Sequence, residues 1–375
     1  MAHAYTPGLR VTPQTTLRKQ RRLPLKGQVL AEPGTQVRRD QVVARTELPG
    51  NVTTLNLVNR LGCTPEELPD YMLKKAGDPI QAGEPLAATR PFIKWFKTTV
   101  EAPVSGSVES ISSVTGQVIL REPPRPVEVL AYIDGTVVEV LPGEGVEIET
   151  SGAFVQGIFG VGGECWGPLQ LLADAPDEVL EAGTIGPDCK GKILVGGSLI
   201  THAAIQQARQ VGALGLIGGG IRDQDLRDLL GYDLGVAITG TEEIGLTAIV
   251  TEGFGAIAMA PKTFEIFKAF SGREASISGA TQIRAGVLRP EIIVPLQDEK
   301  PPPSERPTGS QQGLQKGNLL RIIRAPYFGR IGQVSALPTE LQQVESGARV
   351  RVLEVEFADG SRAVVPRANV ELIEV

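Results

Sequence analysis

Hydrophobic and polar residues alternate in short runs through residues 23–150, and glycines separate the runs. In "APVSGSVESISSVTGQ" (102–117), β-branched residues recur at a two-residue spacing around Gly106. An alternation with a period of two predicts β-strands, and glycine allows the positive φ that tight turns between strands require. We therefore expect this part of the chain to consist mainly of short strands.

Four of these runs form two pairs of internal repeats. "PGTQVRRDQVVA" (33–44) matches "AGDPIQAGEPLA" (76–87) at a constant offset, and residues 102–117 match "AYIDGTVVEVLPGEGV" (131–146) in the same way. Repeated segments indicate repeated structural units. Residues 51–75 interrupt the pattern and predict a helical insertion, with a helix start at Thr64 and Pro65.

In residues 166–295, some segments have the apolar spacing of β-strands and others that of helices. "GKILVGGSLI" (191–200) predicts a strand that ends in a glycine turn, and "THAAIQQARQVG" (201–212) has apolar residues at helical spacing. "ALGLIGGGI" (213–221) repeats the strand and glycine arrangement. Successive β–α–β units indicate parallel strand pairing, so we expect a glycine-rich α/β domain here.

The last eighty residues divide into a linker and a small β domain. Residues 296–315 are rich in proline, serine and charge, which predicts a disordered linker. Residues 316–375 return to the alternating pattern, with a hairpin turn at Asp359 and Gly360. We expect a compact β-barrel, tethered to the rest of the chain.

Composition and charge restrict the function classes. The 375 residues include 37 basic and 43 acidic side chains, a net charge of −6 that argues against a general polyanion binder. No run of about 18 apolar residues and no signal-peptide core is present, so we expect a cytoplasmic protein without membrane insertion.

Residue types suited to catalysis and metal binding are sparse. The chain has three cysteines, which form no C-x-x-C pair, and two histidines: Cys63, Cys165, Cys189, His3 and His202. Scattered thiols suit a reducing compartment and provide no zinc or iron–sulfur ligand set. No acid–base arrangement is recognisable, so we expect no enzyme activity, no cofactor and no small-molecule ligand.

Two sets of charged residues have alternative interpretations. Residues 1–22 form a basic arm, which we interpret as a solvated terminus in preference to a phosphate-binding segment. A second set lies around glycine turns in the middle region, and we interpret it as ordinary turns with salt bridges in preference to a recognition surface or a carboxylate–guanidinium network. Its members are Glu242, Glu243, Glu252, Gln282, Arg284, Arg289 and Glu291.

The repeated segments between residues 23 and 165 resemble the barrel-sandwich hybrid of lipoyl and biotinyl carriers, and its version in the Rnf complex C subunit. In such a carrier the modified lysine lies midway between two strands that correspond here to the ends of the segments 76–87 and 102–117. Lys94 lies at the midpoint between these two segments. The neighbouring residues Phe92, Trp95 and Phe96 depart from the carrier pattern. We therefore expect these four residues to pack on another domain or to form a partner-binding patch, with modification of Lys94 as an alternative.

The middle region, residues 166–295, resembles the swivelling β/β/α fold of protease-associated domains, which are usually non-catalytic. Gly196, Gly197 and Ser198 end its first strand before a helix, where backbone N–H groups can bind an anion. The segment matches no nucleotide-binding motif. A tight turn between strand and helix is the preferred interpretation, and anion binding stays open.

The segment "KGNLLRIIRAPYFGRIGQV" (316–334) resembles the KOW motif of NusG-type transcription factors and ribosomal proteins. The resemblance implies an SH3-like barrel that binds RNA or protein. The candidate partner-binding residues are Arg321, Arg324, Tyr327, Phe328 and Arg330. Residues 316–375 carry eight basic and seven acidic side chains, so a protein partner is at least as well supported as RNA.

Together these patterns predict a multidomain α+β protein that is predominantly β. It consists of a barrel-sandwich hybrid, a glycine-rich α/β domain of the swivelling type and a tethered KOW barrel. The predicted function is that of a non-enzymatic adaptor that binds a protein or RNA partner, with a link to transcription or translation. The alternatives are a cluster-free subunit of an Rnf-like electron-transfer complex and a prosthetic-group carrier modified at Lys94.

Overall fold

The protein is described by a computed structural model, in which strands far outnumber helices. This confirms the expectation of a predominantly β chain. The residues that the structure describes are 9–89, 97–231, 242, 244–281, 288–296, 314–322, 326–327, 330–343 and 349–372.

The strands of these described residues are Val11–Arg22 (β1), Gln28–Val29 (β2), Gln36–Val37 (β3), Val42–Leu48 (β4), Val52–Asn56 (β5), Pro79–Ile80 (β6), Pro85–Ala88 (β7), Thr99–Glu101 (β8), Gly106–Ile111 (β9), Gln117–Arg121 (β10), Arg125–Leu130 (β11), Gly135–Leu141 (β12), Gly145–Gln156 (β13), Phe159–Val161 (β14), Glu164–Leu171 (β15), Val179–Leu180 (β16), Ile193–Val195 (β17), Leu199–Ile200 (β18), Gly215–Ile221 (β19), Thr247–Phe254 (β20), Glu274–Ser278 (β21), Glu291–Pro295 (β22), Leu319–Ile322 (β23), Ile331–Ala336 (β24), Leu341–Gln343 (β25), Arg349–Phe357 (β26), Arg362–Pro366 (β27) and Val370–Leu372 (β28). The α-helices are Leu57–Leu61 (α1), Leu68–Tyr71 (α2), His202–Val211 (α3), Asp223–Leu230 (α4) and Pro261–Ala269 (α5).

The repeated sequences form equivalent backbone contacts. The amide of Gly34 donates to the carbonyl of Val137 at 2.7 Å, and the amide of Gly77 donates to that of Val108 at the same distance. Two further amide-to-carbonyl hydrogen bonds of 2.9 Å in one copy have equivalents of the same length in the other. The bond from Val137 to Thr35 corresponds to the bond from Val108 to Asp78. The bond from Ala131 to Gln41 corresponds to the bond from Ala102 to Glu84. The two sequence repeats are therefore two copies of one structural unit.

One copy is inserted into the other. In the outer copy β3 pairs with β12 and β4 pairs with β11, while in the inner copy β6 pairs with β9 and β7 pairs with β8. The inner copy, β5 to β10, lies in the sequence between β4 and β11. In the order of the chain, it therefore corresponds to the segment between β7 and β8 of the inner copy.

The shared glycine turn predicts a matched pair of stability effects. Gly34 and Gly77 have φ of 83° and 94°, and an added Cβ would meet no atom within 4 Å at either position. Only the backbone conformation opposes a side chain, so Gly34→Ala and Gly77→Ala should each lower the free energy of unfolding by about 1–2 kcal/mol. Urea denaturation would measure both, and a loss at one position only would contradict equivalence of the copies.

The region predicted as a helical insertion begins earlier than expected. Its first helix, α1, starts at Leu57, and the side chain of Asn56 caps it by accepting from the amide of Asn59. Thr64 begins a turn in which its amide donates to the Glu67 side chain and the amide of Glu67 donates to its carbonyl, and α2 begins after this turn at Leu68. Both Asn and Thr are good capping residues, and the local sequence did not show which one precedes the first helical turn.

The basic arm contributes a strand. Residues 11–22 form β1, which pairs with β13 along almost its whole length. Its basic side chains form ion pairs with carboxylates that are distant in sequence: Arg18 with Glu149, Lys19 with Glu291, Arg21 with Glu164 and Arg22 with Glu144. Residues 11–22 are therefore an ordered strand of the sheet and not a loose terminus, although the paired side chains of Arg18 and Arg22 remain more than half exposed.

The middle region forms parallel strands between two helical layers. β15, β17, β19 and β20 are neighbours and run parallel, as the β–α–β pattern predicted. Leu194, Leu216 and Val250 pack with α3 and α4 on one face. The alternate residues Ile193, Ile217 and Ile249 pack with α5 on the other.

A single sheet connects the first and middle regions. β21 runs antiparallel to β15 and pairs with β22, which in turn pairs with the second half of β13. The first half of β13 pairs with β12 of the outer copy. Thirteen strands thus form one continuous sheet. We use the name body for the described residues between 9 and 296, which include this sheet. β23 to β28 form a separate six-stranded sheet, the C-terminal unit.

Candidate functional site

The C-terminal unit has its own hydrophobic core. Leu320 and Ile322 of β23 pack inward with Val334, Val355 and other apolar residues. Side chains alternate across a strand, so the neighbours of these residues point out of the unit. Two groups of outward or rim residues carry the chemistry of this unit.

The first group is a stacked arginine at the surface, which we call the Arg330 surface. Its members are Tyr327, Arg330, Phe357 and Asp359. The guanidinium carbon of Arg330 lies 3.7 Å from the centroid of the Phe357 ring, and its Nη2 donates to Asp359 at 2.9 Å. The Tyr327 ring lies 5.6 Å from the Phe357 ring. The Arg330 side chain is 41% exposed, so a fixed cation is presented to solvent on an aromatic support.

The acidic member of this surface stays charged. The hydrogen bond from the Ser361 side chain lowers the pKa of Asp359, and the amide of Ser361 and Arg330 contribute less. Because Asp359 remains ionised, it holds the Arg330 guanidinium in place over the ring.

The second group is a buried set of four charges, which we call the charge quartet. Arg321 of β23 donates from Nη1 to Glu371 of β28 and from Nη2 to Glu252 of β20, both at 2.8 Å. Arg289, just before β22, donates from Nη2 to the other oxygen of Glu371. The side chains of Arg321 and Glu371 are 2% and 1% exposed. The quartet therefore joins the C-terminal unit to the body.

Glu252 has a second role in the body. Its Oε1 accepts from the amide of Ala260 at 3.1 Å, directly before α5 begins at Pro261. A carboxylate at this place complements the positive end of the helix. Glu252 is therefore held in position by the body independently of Arg321.

The structure separates the five predicted residues of the C-terminal unit. Tyr327 and Arg330 belong to the Arg330 surface, and Arg321 is buried in the charge quartet. Arg324 and Phe328 lie outside the described residues. Of the charged set predicted in the middle region, Glu252 and Arg289 take part in a carboxylate–guanidinium network.

Most described cations of the C-terminal unit are already engaged. Arg362 pairs with Glu354 and Glu356, and Arg367 donates to two backbone carbonyls. Arg321 and Arg330 have the partners given above. Among the described cations, this leaves Lys316, Arg349 and Arg351 to neutralise phosphates, which supply most of the non-specific affinity for nucleic acid.

The predicted anion cradle is occupied by the protein's own backbone. The amide of Gly196 donates to Ile217 at 2.8 Å, and the amide of Ser198 donates to Glu178 at 2.7 Å. The Ser198 hydroxyl donates to the carbonyl of Asp177. An added Cβ on Gly197 would lie 2.5 Å from the carbonyl oxygen of Glu178. These contacts argue against anion binding. The three residues join β17 to β18 and not a strand to a helix, since α3 begins at His202 after the N-cap Thr201.

The three thiols are poorly suited to nucleophilic chemistry. Burial raises the pKa of Cys165 to about 11 and also raises the pKa values of Cys63 and Cys189. The thiolate is the reactive form, so these thiols are protonated at neutral pH. Among the described residues, no cluster of histidine, cysteine and carboxylate side chains is arranged to hold a metal ion.

A polar cleft lies beside β1 and β11. It has a volume of about 550 Å³, and its lining includes Arg21, Glu128 and Glu164. The Glu164 carboxylate accepts hydrogen bonds from both terminal nitrogens of Arg21 at 2.8 Å, and Nε of Arg21 donates to the carbonyl of Leu130. Each of the three guanidinium nitrogens of Arg21 thus already has one partner within the protein.

The predicted patch of Phe92, Lys94, Trp95 and Phe96 lies outside the described residues. The strands β7 and β8 on either side of it pair with each other. No helix in the described ranges combines the length and apolar character needed to cross a bilayer.

Comparison with models of known protein families finds no match for this chain, and comparison with curated proteins finds no significant relative. The Arg330 surface and the charge quartet are therefore interpreted from their own geometry.

Proposed function

We propose that the protein is a cytoplasmic, non-enzymatic adaptor whose C-terminal unit binds a protein partner through the Arg330 surface. The observation that carries the proposal is the stacking of a 41% exposed arginine on Phe357 at 3.7 Å. Arginine and aromatic residues are enriched in protein interfaces and among the residues that dominate binding energy. Stacking and the ion pair with Asp359 also restrict the arginine before binding, which reduces the entropy lost in a complex.

The neutralised charges favour protein over RNA as the partner. Arg330 and Arg362 each have a carboxylate within 3.3 Å, so a phosphate would have to compete with it. A protein partner can satisfy both signs by presenting its own charged pair. The KOW resemblance supports a partner within the transcription or translation machinery.

The body suits a scaffolding role. Its thirteen-stranded sheet runs from the outer copy through the parallel α/β strands without a break. Such a sheet provides a stiff support on which a binding unit can be presented.

The test is affinity purification of the tagged full-length chain from its native cells, with and without nuclease. We expect a protein partner that persists after nuclease treatment and whose recovery falls about tenfold or more with Arg330→Ala, because a hot-spot arginine contributes at least about 2 kcal/mol.

The matched control is Arg362→Ala, which removes an exposed arginine of the same unit that has carboxylate partners at 2.8 and 3.3 Å. It should leave recovery nearly unchanged. Loss of the partner on nuclease treatment, or equal recovery with Arg330→Ala and the wild type, would contradict the proposal.

A further inference from the structure

Arg321 is buried although it lies on the outer face of its strand. Its neighbours Leu320 and Ile322 point into the core of the C-terminal unit, so alternation directs Arg321 outward. Glu371 is its register partner on β28 and shares that face. The two side chains are nevertheless 2% and 1% exposed. Something outside the C-terminal unit therefore contributes to covering this face.

The body supplies part of that cover. Glu252 accepts from Arg321, and Arg289 donates to Glu371, so each charge of the C-terminal unit meets an opposite charge of the body. Glu252 and Arg289 are each about one-tenth exposed. The quartet is neutral as a whole, which allows it to be buried only while all four members are present.

The energetics of such a contact favour reversibility. Desolvation of four charges offsets much of their mutual attraction, so the net gain from docking is limited to a few kcal/mol. Within the described structure, Nε of Arg321 and Nη1 of Arg289 are buried without a hydrogen-bond partner, which reduces that gain further. Polar contacts between domains of one chain commonly open and close.

We infer that the C-terminal unit docks reversibly on the body and that docking conceals a second binding face, formed by β23 and β28, for an acidic protein segment. Glu252 occupies the place of the partner's carboxylate in the docked form. Leu319, 40% exposed on the same side of β23 as Arg321, provides an apolar contact beside it. The concealed face extends the proposed adaptor function, whereas the docking itself does not depend on that function.

Docking can be measured with phenylglyoxal, which modifies accessible guanidinium groups, followed by peptide mass spectrometry of the full-length chain. In the wild type, Arg321 should react about tenfold or more slowly than Arg330, given their difference in exposure. In Glu252→Gln the rate at Arg321 should rise about tenfold or more, because an unpaired buried guanidinium favours the released form. Glutamine keeps the oxygen that accepts from Ala260, so the body should remain folded.

Glu356→Gln is the matched control, since it removes a carboxylate from an exposed ion pair of the same unit. It should not change the rate at Arg321. Should Glu252→Gln fail to fold, Arg289→Gln removes the other charge of the body and should have the same effect. A folded variant in which Arg321 stays protected, or a wild type in which Arg321 reacts as fast as Arg330, would overturn reversible docking.

The second face is tested in Glu252→Gln with polyglutamate, polylysine and oligouridylate as probes. Polyglutamate should slow modification of Arg321 about threefold or more, and polylysine should not, since only the first supplies carboxylates. Protection by oligouridylate alone would assign the face to phosphate, and an absence of protection by any probe would remove it. Neither result bears on the Arg330 surface, whose test is the effect of Arg330→Ala on partner recovery.

Discussion

Gly220→Ala is expected to lower the free energy of unfolding by about 3 kcal/mol or more. A Cβ at this position would lie 2.2 Å from the carbonyl oxygen of Gly255 and 3.0 Å from that of Gly253. Both oxygens belong to the backbone, and Gly253 is the register partner of Gly220 in the neighbouring strand β20. Neither strand can move away without breaking the pairing, so the clash has to be relieved by distorting the sheet.

Urea denaturation followed by circular dichroism would measure this effect, with Gly183→Ala as the control. An added Cβ on Gly183 would meet no atom within 4 Å, so that variant should stay within about 0.5 kcal/mol of the wild type. A Gly220→Ala protein with wild-type stability would show that the segment after β20 does not pack on β19 as described.

The run "IGGGI" shows where sequence reasoning reached its limit. Its strand could be predicted, because short apolar runs bounded by glycine indicate buried strands. The need for glycine could not be assigned, since it depends on contacts between β19 and residues far along the chain. An added Cβ on Gly219 would clash with the carbonyl oxygen of Ile257, and one on Gly220 would clash with that of Gly255. These glycines allow two backbone segments to approach closely, a role that differs from the turn predicted between strand and helix.

The internal repeats were the most productive signal. Constant offsets between segments predicted equivalent units, and the structure shows equivalent hydrogen bonds from Gly34 and Gly77. The nesting of one copy within the other also follows from the order of the segments. The pairing of β1 with β13 does not, because no local pattern relates Arg18 to Glu149 across 131 positions.

Arg321 shows how a correct local prediction can leave the environment open. The motif placed it on a strand, and alternation directs it outward, which suggested a solvent-exposed binding residue. The cover comes partly from Glu252, 69 positions earlier, in a separate sheet. Glu252 and Arg289 belong to the charged set of the middle region, for which a carboxylate–guanidinium network was one of the interpretations. No local pattern connects that set with the C-terminal unit, since charge alone does not identify a partner.

A double-mutant cycle on Arg321 and Glu252 is expected to show strong coupling. Arg321→Met leaves Glu252 without its cation and Glu371 with Arg289 alone, and Glu252→Gln leaves part of the guanidinium unsatisfied, so each should cost about 3 kcal/mol. The double variant removes both charges of the pair and should cost less than the sum of the two, with a coupling energy of about 2 kcal/mol. Urea denaturation of the four proteins would give the cycle.

Arg362 and Glu356 provide a control pair with the same nitrogen–oxygen distance and a different environment. Both pairs join Nη2 to Oε2 at 2.8 Å, but the side chains of the control pair are 60% and 44% exposed, against 2% and 10% in the quartet. Water screens the exposed charges, so Arg362→Met and Glu356→Gln should couple by less than about 1 kcal/mol. Equal coupling in the two cycles would mean that water reaches Arg321 as readily as Arg362. Strong coupling for the buried pair alone would instead show that the body excludes solvent from the C-terminal unit, because the distance and the chemical groups are identical.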